Sequence, residues 1–300
     1  MALPLHLSIF FLSLLVLSPF PLAASRTVKP TVSPFTKTLQ SLEGIHQGQS
    51  AKGLGELKTY LSKLGYLNNN HNLNDISDWF DENLETAIKD YQKFHGLAIT
   101  GSLDSTTIQT LILPRCGVAD IHKHSHNKNG LIMVSNFAYY DGSPKWAIDK
   151  RDLTYSYSST ASTLSTEDMR QAIASAFLTW ARITDFTFTE VSRSIHADIL
   201  IGFLSHDHGD GNPFDGRGRV LGHAFAPQDG RVHFDGDELW SNNPGSTQVD
   251  LESVALHEIG HILGLAHSSN ADAVMFPAYG GKRRSLGQDD IDGIRKLYMY

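Results

Sequence analysis

The chain has 300 residues, 41% of them hydrophobic, enough to bury one or two cores of ordinary domain size. Its 25 Lys and Arg against 32 Asp and Glu leave a formal charge of −7, which excludes a surface built to attract nucleic acid or anionic membrane. Histidine is abundant at 15, which favours metal binding, and a lone cysteine rules out an intrachain disulfide, so stability must come from packing and bound ions.

Residues 4–23 are almost wholly apolar and uncharged, and Leu22-Ala23-Ala24-Ser25 offers small residues to a signal peptidase. This reads as a secretory signal peptide over 1–25, with a retained anchor as the alternative because no Lys or Arg precedes the apolar run. No second long apolar stretch follows, the chain stops at Tyr300 without a hydrophobic tail, and no Asn-x-Ser/Thr sequon occurs. A secreted monomer with no stable membrane anchor is expected.

Residues 26–50 mix Pro, Ser, Thr and Gly and read as a flexible lead-in. Leu54, Leu57, Leu61, Leu64 and Leu67 then recur at helical spacing. A second helix, Glu82 to Phe94, places Leu84, Ala87, Ile88 and Tyr91 on one face, and a third runs from about Ser105 to Leu113 with Asp104 or Ser105 as cap. These form a three-helix bundle over about 50–113. The run Asp90-Tyr91-Gln92-Lys93-Phe94-His95-Gly96 and the turn Thr100-Gly101-x-Leu103-Asp104 resemble peptidoglycan-binding-like domains.

Pro114-Arg115-Cys116-Gly117-Val118-Ala119-Asp120 comes next, with opposite charges on Arg115 and Asp120 across the Gly117 turn. The plain account of Cys116 is a small buried hydrophobe. Ile121 to Gly142 carries His122, His124 and His126 among Lys, Asn and Gly, and reads as an exposed cleavable linker, with weak metal binding as the alternative.

The remainder alternates strands and helices. Strands are expected at Leu153–Tyr157, Phe186–Val191, Ala197–Phe203, Val220–Ala226 and Arg231–Phe234. Helices are expected at Ser165–Ile183, from about Gln248 with Thr247-x-x-Asp250 as a capping box, and at Leu286–Tyr298. The fold class is therefore α+β.

Between Ser205 and Trp240 the loop is rich in Gly, Asp and His, a composition that metal ligation explains better than disorder. His208, Asp210, His223 and His233 suffice for a closed His₃Asp tetrahedron with no place for water, with His206 in reserve. Asp215-Gly216-Arg217-Gly218-Arg219-Val220 supplies a carboxylate and carbonyls, and Asp235 and Glu238 add hard oxygens; such ligation suits calcium, against the plainer reading of an acidic solvated turn.

In His257-Glu258-Ile259-Gly260-His261-Ile262-Leu263-Gly264-Leu265-Ala266-His267, His257 and His261 share one helix face, and Gly264 lets the chain turn so that His267 reaches the same ion. Three neutral ligands with an open fourth position suit catalytic zinc, and Glu258 suits the general base. The plain alternative is a core helix with incidental histidines.

With Val274-Met275-Phe276-Pro277 downstream, this motif resembles the metzincin metalloproteases, and with the Cys116 segment the resemblance narrows to the matrixins, in a plant-type form without a hemopexin domain. It covers roughly residues 50–300. The resemblance implies a propeptide over 26–143 that includes the bundle and a cysteine switch at 114–120, with Ala119 where Pro is usual. It implies a catalytic domain over 144–300, a twisted, mostly parallel five-stranded sheet with three helices. It assigns catalytic zinc to His257, His261 and His267, and makes Cys116 a zinc ligand in the latent form. Arg115, Asp120 and Met275 are support. His208, Asp210, His223 and His233 take structural zinc. Calcium goes to Asp215, Asp235 and Glu238 with the carbonyls of Gly216, Gly218 and Val220. Asp198 is a candidate for a second calcium, although the short Asp229-Gly230-Arg231 loop puts Arg231 where Asp is usual. Substrate pairs as an added strand with Val220-Leu221-Gly222-His223, where Gly222 replaces the usual Ala, and Pro277, Ala278 and Tyr279 wall an apolar pocket. The implied activity is a secreted zinc-dependent endopeptidase, latent until its propeptide inhibitor is removed, acting on extracellular proteins or peptides (in the apoplast or cell wall if the source is a plant). The rival from another class is a secreted polysaccharide-binding protein with an inert metal domain.

Overall fold

The computed structural model describes residues 33–67, 77–121, 136–193 and 195–299. The expected signal peptide and His122, His124 and His126 lie outside them.

The lead-in differs from its expected form. Helix α1 (Pro34–Ser41) begins at a Ser33 cap whose hydroxyl accepts the Thr36 N–H, with Pro34 at the first helical position. Phe35, Leu39 and Leu42, at helical spacing, are buried against the bundle. The bundle itself is α2 (Leu54–Lys63), α3 (Glu82–Phe94) and α4 (Ser105–Leu111). Helix α2 stops short of Leu67 because the chain reverses at Gly65, which sits at φ +90. Asp104 is the α4 cap, accepting the Thr107 N–H.

The main sheet has six strands where five were expected. They are β1 (Arg115–Cys116), β2 (Asp152–Tyr157), β3 (Thr187–Glu190), β4 (Ile199–Leu204), β5 (Val220–Ala224) and β6 (Arg231–Asp235), in the order β1-β5-β6-β4-β2-β3. Only β5 and β6 pair antiparallel. The extra strand is the Cys116 segment itself, laid along the outer edge of β5 with Arg115 opposite Val220 and Cys116 opposite Gly222.

Helices α5 (Thr166–Ala181) and α6 (Leu251–Ile262) pack together; Trp180 of α5 is fully buried and its Nε1–H donates to the Leu256 carbonyl at 2.8 Å. Trp146 does the same to the end of α6, donating to the Ile262 carbonyl at 2.9 Å. Helix α7 (Gln288–Tyr298) closes the core with Ile294 and Leu297. The start of α6 is later than the Thr247 capping box predicts. Val249–Asp250 is strand β8, paired with β7 (Trp240–Ser241), so the helix waits until Leu251 and Asp250 becomes the cap, accepting the Ser253 N–H.

Residues 136–139, expected in an exposed linker, are packed. Asn136 and Phe137 donate their backbone N–H groups to Asp289, and Ala138 accepts the Ala266 N–H at 2.9 Å. Among the described residues no helix is long and apolar enough to cross a membrane.

Candidate metal centre and cleft

Helix α6 carries His257 and His261 one turn apart, and the chain doubles back at Gly264, φ +102, to bring in His267. A Cβ at Gly264 would lie 2.4 Å from the Pro144 carbonyl oxygen, so only glycine fits that reversal. The outer nitrogens are fixed: Nδ1 of His257 bonds the Val274 carbonyl at 2.7 Å, that of His261 the Leu265 carbonyl at 2.8 Å, and that of His267 Oδ1 of Asp120 at 2.8 Å. With each Nδ1 proton used outward, the Nε2 lone pairs face one another, His257 lying 3.1 Å from His261 and 3.2 Å from His267. Cys116 Sγ joins them, 3.5 Å from His261 Nε2. Four ligand atoms from four buried residues thus converge on one point, and this donor set fits zinc.

Beneath them Gly260 leaves room for Met275, whose Sδ would lie 2.2 Å from a Cβ at that position. The Val274–Met275 turn is held by the buried carboxylate of Asp290, which accepts both N–H groups at 2.8 and 3.0 Å. Glu258 is fully buried and faces the cleft beside the Cys116 thiol. Burial pushes its carboxyl up to about 8, with the thiol acting in the opposite sense. Burial also raises the Cys116 thiol, and the charge of Glu258 adds to this, so a thiolate there requires a cation.

The Cys116 segment fills the cleft through backbone hydrogen bonds on both sides. Toward β5, Arg115 N–H donates to Arg219 at 2.7 Å and Gly117 N–H to Gly222 at 2.8 Å; toward the opposite wall, Cys116 N–H donates to Pro277 at 3.0 Å and Tyr279 N–H to Pro114 at 2.8 Å. The pocket beside it is lined by Leu221, Val254, His257, Pro277, Ala278 and Tyr279, with Ser253 and Arg283 also in its lining. Gly222 lines the strand edge and not the pocket; a Cβ there would stand 3.3 Å from Glu258 Oε1 and 3.0 Å from the His233 carbonyl oxygen.

Arg115 and Asp120 pair in the interior, as their opposite charges suggest. Asp120 also accepts from the Tyr66 hydroxyl at 2.9 Å, and His95 of the bundle lies 3.8 Å away. Burial opposes its charge, but Arg115 and His267 hold its carboxyl well below the usual carboxylate range.

His208, Asp210, His223 and His233 form the second cluster. Three imidazole nitrogens lie 2.8–2.9 Å from the single oxygen Oδ2 of Asp210. Burial lowers both His223, to about 4, and His233, keeping their rings neutral and available as ligands. His206, the reserve, is exposed and stands toward Asp237, outside the cluster. Asp215, Asp235 and Glu238 are brought together by the 215–220 turn; Val220 N–H donates to Asp215 at 3.2 Å and Gly218 N–H to Glu238. Asp235 Oδ2 is buried and has no hydrogen-bond partner among the described residues. Burial, reinforced by the neighbouring carboxylates, raises Asp235 to about 6 and Glu238 to about 7. Asp198 stands apart from these acids with partners of its own: Lys150 pairs with one oxygen at 2.8 Å and Thr154 donates twice to the other. Arg231 is neutralised by Asp229 and stacked on Phe225.

Residues 145–299 match the matrixin family, and residues 50–111 match a putative peptidoglycan binding domain. The chain belongs to the matrixin family. It is 43% identical over 276 residues to metalloendoproteinase 5-MMP of Arabidopsis thaliana, covering 87% of this chain and 75% of that one. It is 44% identical over 261 residues to metalloendoproteinase 1 of Glycine max, covering 84% of each. Stromelysin-1 of Rattus norvegicus is 42% identical over 218 residues, 70% of this chain and 42% of its own length. This matrixin is accordingly a zinc metalloendopeptidase with a propeptide-type bundle.

Sequence reasoning missed several residues that hold the matrixin cleft: Tyr66 and His95 on Asp120, Asp290 on the methionine turn, and Val254 and Arg283 in the pocket. Val254 was available from helical spacing, one turn before Glu258, whereas the others come from distant segments. Asp120→Ala removes the anion from buried Arg115 and the acceptor from His267; a loss of about 3–5 kcal/mol in unfolding free energy is expected, read from the shift in urea midpoint of the full chain.

Proposed function

We propose that this zinc metalloendopeptidase is secreted as a latent zymogen, with Cys116 as the blocking zinc ligand and Glu258 as the catalytic base. The observation that carries this reading is the position of Cys116 Sγ, among three imidazole nitrogens and directly beside Glu258. The sulfur fills the fourth position that a catalytic site keeps open, and the backbone on either side uses the hydrogen bonds that a substrate strand needs.

His257, His261 and His267 would hold the zinc, which would supply a Lewis acid toward the scissile carbonyl and a water. The chain supplies the rest. Once the Cys116 segment leaves, the exposed edge of β5 aligns an extended substrate, and the pocket walled by Leu221 and Pro277–Tyr279 takes an apolar side chain. A Glu258 carboxylate oxygen accepts the proton of the attacking water and returns it to the leaving amine nitrogen as the peptide bond breaks. The carbonyls of Val274 and Leu265, which accept from Nδ1 of His257 and His261, keep those two rings neutral and aimed after the segment has left. His208, Asp210, His223 and His233 would hold a structural zinc, and Asp215, Asp235, Glu238 and the carbonyls of Gly216, Gly218 and Val220 a calcium. Extracellular proteins or peptides are the substrates this reading implies.

Glu258→Gln should keep its zinc yet lose at least ~100-fold in peptide cleavage, because an amide cannot accept the water's proton. Metal analysis beside a turnover assay checks this, and near-normal activity in the zinc-loaded variant rules out Glu258 as base. Cys116→Ser should be active or self-processing from synthesis, since a hydroxyl is a poor zinc ligand; full latency of that variant would mean that bulk alone closes the cleft.

For calcium, the sign follows from the two raised carboxyls. Without a cation their protonated forms suit the fold, so their contribution is whole below about pH 4 and is lost as pH rises through about 6 to 7. Calcium should therefore raise the melting temperature more at about pH 8 than at about pH 5, and Asp235→Ala should narrow the difference. A melting temperature indifferent to EGTA at pH 8, with zinc retained, removes the assignment.

A further inference from the structure

We propose that Arg219 is a second latch of the latent state, one that holds the bundle by its aromatic rings and without any metal. The proposal rests on the latency reading above and concerns a residue that neither the metal centre nor the pocket uses. Arg219 lies immediately before β5, and its carbonyl accepts the Arg115 N–H at 2.7 Å. Its side chain leaves the sheet edge and meets the bundle. The guanidinium carbon stands 3.9 Å from the ring centroid of Phe35 in α1 and 4.9 Å from that of Tyr60 in α2. The two rings meet edge to face at 5.3 Å, so they form one aromatic corner around the cation. Asp215 pairs with the same guanidinium at 3.1 Å from the catalytic side, and the Arg219 side chain is only 17% exposed.

The clamp adds to the backbone hydrogen bonds of Arg115 and Gly117 a side-chain contact between this edge and the bundle. A cavity of about 250 Å³ lies between bundle and sheet here, lined by Tyr60, Lys63, Asn212, Asp215 and Arg219. Packing is incomplete beside the guanidinium, which raises the share of the bundle contact that the two rings carry. The same contact gives α1 its role: Phe35 is 5% exposed and lies against Arg219, which ties the start of the bundle to the residue just before β5, the strand that Arg115 and Cys116 pair with. Release of the bundle strips two rings from the guanidinium, whereas the ion pair to Asp215 lies wholly within the catalytic part.

The test uses the full zinc-loaded proenzyme in a Glu258→Gln background, so that the chain stays intact, and reads the alkylation rate of Cys116 by iodoacetamide. The parent should label slowly. Arg219→Gln and Phe35→Leu should each speed labelling by ~10-fold, Arg219→Lys should fall between, because an ammonium keeps charge without the flat stacking surface, and the double variant should be no faster than either single one. Labelling of Arg219→Gln at the parent's rate overturns the latch while leaving the cysteine switch standing, and so does a double variant whose effects simply multiply. Labelling of the parent itself at the rate of a free thiol overturns the latency reading and the latch together.

Discussion

Three buried imidazoles that turn their lone pairs toward one another at 3.1–3.2 Å are tolerable only around a cation, and the catalytic part of this protein is arranged to impose that geometry. The constraint propagates outward through hydrogen bonds. Asp290 holds the Val274 and Met275 N–H groups, the Val274 carbonyl holds Nδ1 of His257, and Met275 fills the space left by Gly260 under the helix. Ligand aim is thus set by a buried carboxylate on α7, well away from the α6 motif in the chain.

Asp120 has the corresponding place on the propeptide side. One carboxylate is shared by Arg115, by Tyr66 of the bundle and by His267 of the metal cluster. Such an anion is costly to bury unless every oxygen is engaged, and here the engagement joins the bundle, the cysteine turn and a ligand in one network. In the activation proposed above, departure of the segment would take the Cys116 sulfur from the cluster and the acceptor from the second nitrogen of His267. The cleft is therefore closed at the level of metal, backbone and ligand orientation together.

The chain has no disulfide to restrain its unfolded state, and the Gly-rich stretch from the end of β4 to β7 carries two charged clusters. Three histidine nitrogens gathered on one Asp210 oxygen, and two buried acids raised to about 6 and about 7, are unfavourable arrangements for the bare chain. Each is the kind of conflict that a bound ion resolves. The nearby Arg231 and Asp198 show the contrasting solution, neutralised by Asp229 and Lys150.

The sequence by itself determined whatever is encoded at short range. The helical spacing of His257, Glu258 and His261, the reversal at Gly264, the Arg115–Asp120 pairing across a tight turn and the strand and helix order all follow from local periodicity and local sterics. Helix α1 was equally local, signalled by Ser33-Pro34 and by Phe35, Leu39 and Leu42, but its Pro, Ser and Thr content suggested a loop. Tertiary structure alone decided that Cys116 becomes a sixth strand, that Asp120 bonds His267 across 147 residues of chain, that Arg219 lies over Phe35, and that Asp198 is taken by Lys150. Those contacts depend on how separately folded faces meet. No periodicity within one segment can specify a partner that packing brings from another.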